Sequence, residues 1–168
     1  MVRTKQKDRD VPPPQAPWNE IRPGLWMGGH VQAGADGEEP VVVRHEFDLV
    51  LSLYQRPGHG PPPGVEHLVA EMPDGPLTAS QVEQVERFAV LAAEAVRAGR
   101  VTLVRCHAGY NRSGLVVAQT LVELGLGVPE AIGLVRSRRS PWALHNELFV
   151  QYLESGLPTA RLLIGLGS

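Results

Sequence analysis

The stretch VTLVRCHAGYNRSGLVVAQTLVEL, residues 101–124, decides how this chain is read. Val101 to Arg105 is a short apolar run rich in β-branched residues, the composition of a buried strand. From Leu115 onward the chain is apolar again, now with the length and pattern of a helix. Between them lies CHAGYNRSG, polar and glycine-containing, so the whole reads strand, loop, helix. A loop wrapped at a helix N-terminus aims several unpaired backbone N–H groups at one spot, and the helix dipole adds positive potential there. A dianionic phosphate fits such a cup.

The side chains at this junction supply chemistry. Cys106 is the single cysteine, so it forms no internal disulfide and no cysteine-rich metal site. Five residues separate it from Arg112, and Ser113 follows. Thiolates are stabilised at helix N-termini and beside cations, which makes Cys106 the candidate nucleophile. Arg112 offers a planar fork to two phosphate oxygens, and Gly109 lets the backbone curl. The backbone of His107, Ala108, Gly109, Tyr110, Asn111 and Arg112 is the expected phosphate-binding loop. Ser113 is placed to donate a hydrogen bond to the sulfur when it is released. The competing reading, a buried cysteine before an ordinary polar turn, requires Gly109, Arg112 and Ser113 to coincide by chance, about once in several thousand cysteines.

A leaving group needs a proton, and Asp74 is the candidate acid. It lies in MPDGPLT, where Pro73, Gly75 and Pro76 define a constrained loop. An aspartate in such a place also stabilises turns, so its role rests on context.

Working outward, residues 1–17 mix charges with prolines and read as a flexible tail, 18–156 as one catalytic domain and 157–168 as a second tail. IRPGLWMGG suggests a short strand, FDLVLSL (47–53) a better one, and HLVAEM (67–72) a third. The segment YQRPGHGPPPG (54–64) is a loop. Val82, Val85, Ala89, Ala92 and Val96 recur along one helical face from near Thr78, with Ser80 and Glu83 as a capping box and Gly99 at the end. Pro129 opens another helix, and Ala143 to Glu154 supports a last one. Strands alternating with helices give an α/β fold: a mixed, largely parallel central sheet of four to five strands flanked by helices.

Bulk properties narrow the function. A net charge of −2 gives no global reason to expect nucleic acid binding. No run approaches a membrane span and no apolar stretch follows the basic N-terminus, so no membrane partner and a cytoplasmic location are expected. The other histidines, His30, His45, His59, His67 and His145, are scattered without metal-ligand spacing. No metal and no cofactor is expected.

At CHAGYNRS the sequence resembles the dual-specificity branch of the cysteine-dependent protein tyrosine phosphatases, whose signature is a Cys, five residues, an Arg, then Ser or Thr. The resemblance spans roughly Trp18 to Leu153. It implies hydrolysis of phosphotyrosine, and of phosphoserine or phosphothreonine, in a phosphorylated protein partner. It also implies an acid-bearing loop matched by Asp74 and a closing helix matched by Asn146, Phe149 and Leu153. One departure is Arg105, which stands where the family usually has His. An inward Arg105 adds positive charge near the sulfur; an outward one contacts solvent or substrate. Arg138 and Arg139, in the basic run 136–139, are candidate contacts to a second phosphate or simply a solvated helix end. Three alternatives stand beside this reading. Arsenate reductases use a similar loop but need further thiols. Phosphoinositide or RNA 5′-phosphatases often carry loop lysines, which HAGYN lacks. A non-catalytic phosphate-binding module is the third.

Overall fold

The computed structural model describes residues 11–167. Within the segment where the sequence suggested one strand there are two, β1 (Trp18–Arg22) and β2 (Leu25–Gly28), which pair antiparallel. Gly24, at φ 85°, makes the turn between them. An unforeseen hairpin follows, β3 (Val31–Gly34) with β4 (Gly37–Pro40). Its outer strand is wholly exposed, so it carries none of the apolar alternation by which strands are recognised. Next come β5 (Leu49–Ser52), β6 (Glu66–Val69), α1 (Ala79–Arg97) and β7 (Thr102–Arg105). Four helices complete the chain: α2 (Arg112–Glu123), α3 (Val128–Arg138), α4 (Glu147–Ser155) and α5 (Leu157–Leu166).

The main sheet has five strands in the order β1-β2-β7-β5-β6, with β2, β7, β5 and β6 parallel. The fold is therefore the expected α/β class with a mixed, largely parallel sheet. β7 lies at the centre and is buried at all four positions, which is why Leu103 and Val104 are both apolar although they face opposite sides of the sheet. Its side chains alternate between two cores. Val104 joins the larger core, to which all five helices contribute, while Leu103 joins Val43, Phe47 and Val50 on the other face. That second face is closed by aromatic rings, with Trp18 edge-on to Phe47 at 5.1 Å. The helices thus feed one core rather than both.

Element ends follow local chemistry. α1 is capped by Thr78 with Gln81 rather than by Ser80 with Glu83: Thr78 is extended, accepts from Gln81 N–H, and its own N–H donates to the Gln81 side chain. Gly99, at φ 76°, lies just past the helix as expected. α4 starts later than Ala143 because Asn146 caps it through Leu148 N–H, and Leu144 takes a left-handed φ of 58° that no helix interior allows.

Both segments read as tails depart from that description where the structure describes them. Residues 157–166 form α5, which buries Leu157 and Ala160 on the core and pairs Arg161 with Glu86 at 2.9 Å. Residues 11–17 pack on the hairpin and the loop after β7; 1–10 lie outside the described residues. No helix among those described is long and apolar enough to cross a membrane.

The end of β2 leaves no room for side chains. A Cβ on Gly29 would sit 2.6 Å from His107 O, a backbone atom of the loop after β7. Gly29→Ala should therefore lower stability by about 2 kcal/mol, read as the urea midpoint. An unchanged midpoint would show that the loop yields freely.

Candidate active site

The loop from Cys106 to Asn111 leaves the C-terminal end of β7 and enters α2, where parallel sheets present their binding crevices. Its shape is held from behind. His30 Nδ1 lies 2.9 Å from Cys106 O, and the His30 backbone N–H donates to His107 O at 2.7 Å. Arg139 donates to the next two carbonyls, Nη2 to Ala108 O at 3.0 Å and Nε to Gly109 O at 3.1 Å. Leu144 N–H donates to Tyr110 O at 3.0 Å. Five successive carbonyls are thus turned outward. Because C=O and the following N–H point opposite ways across a trans peptide, the N–H groups of residues 107–111 are turned to the inner side. Among the described residues none of these N–H groups donates to a protein acceptor. Unpaired backbone donors are rare in folded chains, and five together at a helix start form an anion cup.

Cys106 lies at the floor of this cup, 2% exposed, with its Sγ 3.3 Å from Ser113 Oγ. Arg112 stands beside it. Its Nη1 donates to Met72 O at 3.1 Å, its guanidinium lies 5.5 Å from the Tyr54 ring centroid, and its Nε is buried without a protein partner. The guanidinium is thus braced on two sides with a donor left over. Cys106, Arg112 and Asp74 line one cavity of about 280 Å³.

Asp74 is pinned over the cup by amides. Asn111 Nδ2 donates to Oδ2 at 2.9 Å and Asn146 Nδ2 to Oδ1 at 2.8 Å, which leaves each oxygen another lone pair. Asn111 Nδ2 also lies 3.0 Å from His145 Nε2, and Asn111 Oδ1 accepts from Asn146 N–H at 2.9 Å. An amide nitrogen only donates, so His145 carries its proton on Nδ1. Asn111 was expected to serve through its backbone, and its side chain proves to be the link between loop, acid and closing helix. His145 looked scattered in sequence; folding brings it into the cavity wall.

Arg105 points inward and is fully buried. Nε donates to Ser52 Oγ at 3.0 Å, Nη1 to His59 O at 3.0 Å, and Nη2 to Gln55 Oε1 at 2.8 Å and to Gly60 O. It therefore fastens the loop after β5 and is not a substrate contact. Burial lowers its pKa to about 10, so it stays charged at neutral pH. Arg139 is likewise committed elsewhere: besides the two loop carbonyls it reaches Ala16 O and Asn19 Oδ1, both at 2.9 Å. Arg136 holds Ala143 O and Leu144 O. Arg138 is exposed and does not line the cavity. The basic run is mainly an internal brace.

No protein-family model and no curated protein sequence matches the chain. Solved structures do. The chain is similar to human DUSP28, at 28% identity over 86% of this chain and 95% of that one, with a TM-score of 0.69. It is similar also to a mouse putative dual specificity phosphatase complexed with zinc tungstate, at 27% identity over 92% of each chain and a TM-score of 0.67. PTPMT1 in complex with PI(5)P, at 16% identity over 88% of this chain and 99% of that one, shares the fold with a TM-score of 0.59. The chain thus has the fold of the cysteine-dependent tyrosine phosphatase superfamily and resembles its dual-specificity branch.

His30 was missed in sequence because it lies 76 residues from Cys106. Gln55 Oε1 accepts from Arg105 while Gln55 Nε2 donates to Gly60 O, which fixes the amide's orientation. His30 Nε2 faces that oxygen at the longer 3.3 Å, so the neutral ring keeps its proton on Nδ1 for Cys106. Burial, aided by the Arg105 charge, lowers the His30 pKa from 6.5 to about 4. The unfolded chain then binds the extra proton first, so stability is full above pH 6.5 and is lost as pH falls toward 4. Burial lowers His67 and His107 in the same direction. His30 alone accounts for about 3 kcal/mol. His30→Asn, which keeps a donor near Nδ1, should flatten the pH dependence of Tm in this window; an equally steep profile would contradict the assignment.

Proposed function

We propose that the protein is a metal-independent phosphomonoester hydrolase that acts on phosphoproteins, on phosphotyrosine and also on phosphoserine or phosphothreonine, through a cysteinyl-phosphate intermediate. The observation that carries this reading is a thiol at the floor of a cup of unpaired N–H groups, with Arg112 and Asp74 in the same cavity. Three phosphoryl oxygens accept from the cup and from Arg112, and the Cys106 thiolate attacks phosphorus in line. The S–P bond forms as the P–O bond breaks, and protonated Asp74 gives its proton to the departing oxygen. Water then attacks phosphorus, Asp74 takes a proton from it, and the S–P bond breaks. Ser113 donates its O–H to the sulfur as negative charge returns there.

Among the described residues no three His, Cys, Asp or Glu side chains gather to hold a metal ion. The phosphoinositide and RNA readings rank below this one because the cavity lining carries a single arginine, Arg112, together with the carboxylate of Glu38. That charge balance opposes substrates bearing several phosphates. A non-catalytic binding module is disfavoured by the presence of both nucleophile and acid.

Cys106→Ser should abolish hydrolysis of phosphotyrosine and p-nitrophenyl phosphate while phosphate still binds. Asp74→Asn should lower kcat on a phosphotyrosine peptide by about 10² to 10⁴, and less on p-nitrophenyl phosphate, whose leaving group needs no proton. Turnover by the Cys106→Ser chain in a metal-free assay would end this reading.

A further inference from the structure

Two segments that the chemistry does not use share the lining of the cavity with Cys106 and Arg112: Val11, Pro12, Pro13 and Pro14, and Val31 and Glu38 from the β3–β4 hairpin. The proline segment is fixed in place. Tyr110 Oη donates to Pro12 O at 2.8 Å, Ala33 N–H to Pro14 O at 2.7 Å, and Gly29 N–H to Pro17 O at 3.2 Å. Arg139, the brace of the cup, reaches Ala16 O from the same guanidinium that holds Ala108 and Gly109. Cup and segment are therefore one built unit. Consecutive prolines have fixed φ and lack N–H groups, so they present a stiff wall of ring carbons and leave few donors unmet.

Glu38 is the discordant member. It is exposed, its side chain makes no hydrogen bond or ion pair among the described residues, and its charge reaches His107, which lines the same cavity. A carboxylate lining the cavity that must accept a phosphate dianion repels it. That repulsion is offset when the substrate itself brings a cation beside Glu38, and it is compounded when the substrate brings another anion.

We propose that this part of the cavity is a recognition subsite in which the proline wall and Val31 take the ring of a phosphotyrosine and Glu38 takes a Lys or Arg next to it in the substrate chain. The proposal rests on the phosphatase reading and names its substrate class. The apolar lining shared with Cys106 suits an aryl ring, whereas a phosphoserine carries no group to fill it.

The test uses the full chain and peptides that differ only in the residues flanking the phosphotyrosine, Lys in one and Glu in the other. The ratio of kcat/KM for the two peptides should favour Lys by about tenfold at low salt and shrink as salt is raised. Glu38→Gln should bring the ratio close to one and Glu38→Lys should invert it. A ratio indifferent to these substitutions overturns the cation half of the proposal. For the wall, Pro12→Gly with Pro13→Gly should reduce the preference for a phosphotyrosine over a phosphoserine peptide of the same sequence by about tenfold. An unchanged preference overturns that half. Hydrolysis of p-nitrophenyl phosphate by wild type and Cys106→Ser is measured beside these. A rate that survives in Cys106→Ser overturns the phosphatase reading itself, a result distinct from either failure above.

Discussion

Everything in this site depends on turning five carbonyls away from one point. Left free, the polar groups of a short loop satisfy one another or the nearest helix, and no cup survives. Here His30 and Arg139 take four of the carbonyls and Leu144 the fifth. The N–H groups of residues 107–111 are left without protein acceptors among the described residues, and such a cluster at a helix start suits an anion. Gly29 serves the same end, since it lets the loop lie against the end of β2 at distances that no Cβ permits, while Gly28 gives the same close approach to Pro17 and Trp18. Gly109, at φ 78°, sits against Gly28 and the Arg139 guanidinium.

The residue before Cys106 shows how this chain solves a local problem in its own way. Arg105 ends β7 and, being on the sheet, projects toward the loop after β5 rather than toward the cup. It buries a charge among neutral acceptors, a costly choice that is tolerable because nearly every guanidinium N–H group finds an oxygen. Gln55 then connects Arg105 to His30, and His30 to the carbonyl of Cys106. Tyr54 completes the support, with its ring edge-on to His30 and to His107 and within reach of the Arg112 charge. The segment that reads in sequence as a loop of Pro and Gly in fact supports the loop that carries Cys106.

Much of the fold was legible because its signals are local. The strand, loop and helix around Cys106, the periodic face of α1 and the role of Gly99 all follow from neighbours within a few residues. The thiol, Arg112 and Ser113 were legible for the same reason: their spacing along the chain is their spacing in space. The candidate acid Asp74 required topology as well, and it shares a cavity with Cys106 as topology suggested. What could not be read is whatever is brought together only by folding. His30, Arg139 and Asn146 meet the loop and its acid across long separations, and a lone His or a basic run has no one-dimensional mark of such a partner. The β3–β4 hairpin escaped because its exposed strand carries no periodicity, and residues 11–17 because prolines that suit a tail suit a fixed wall equally well.

Arg139, which does not line the cavity that holds Cys106, shapes the cup by holding the carbonyls of Ala108 and Gly109. Amide chemical shifts followed while inorganic phosphate is added to the Cys106→Ser chain, with and without Arg139→Gln, test it most directly. The account expects the largest shifts at residues 107–112, and a Kd weakened by about tenfold or more when Arg139 is replaced. Shifts centred elsewhere, or equal affinity in the two chains, would contradict it.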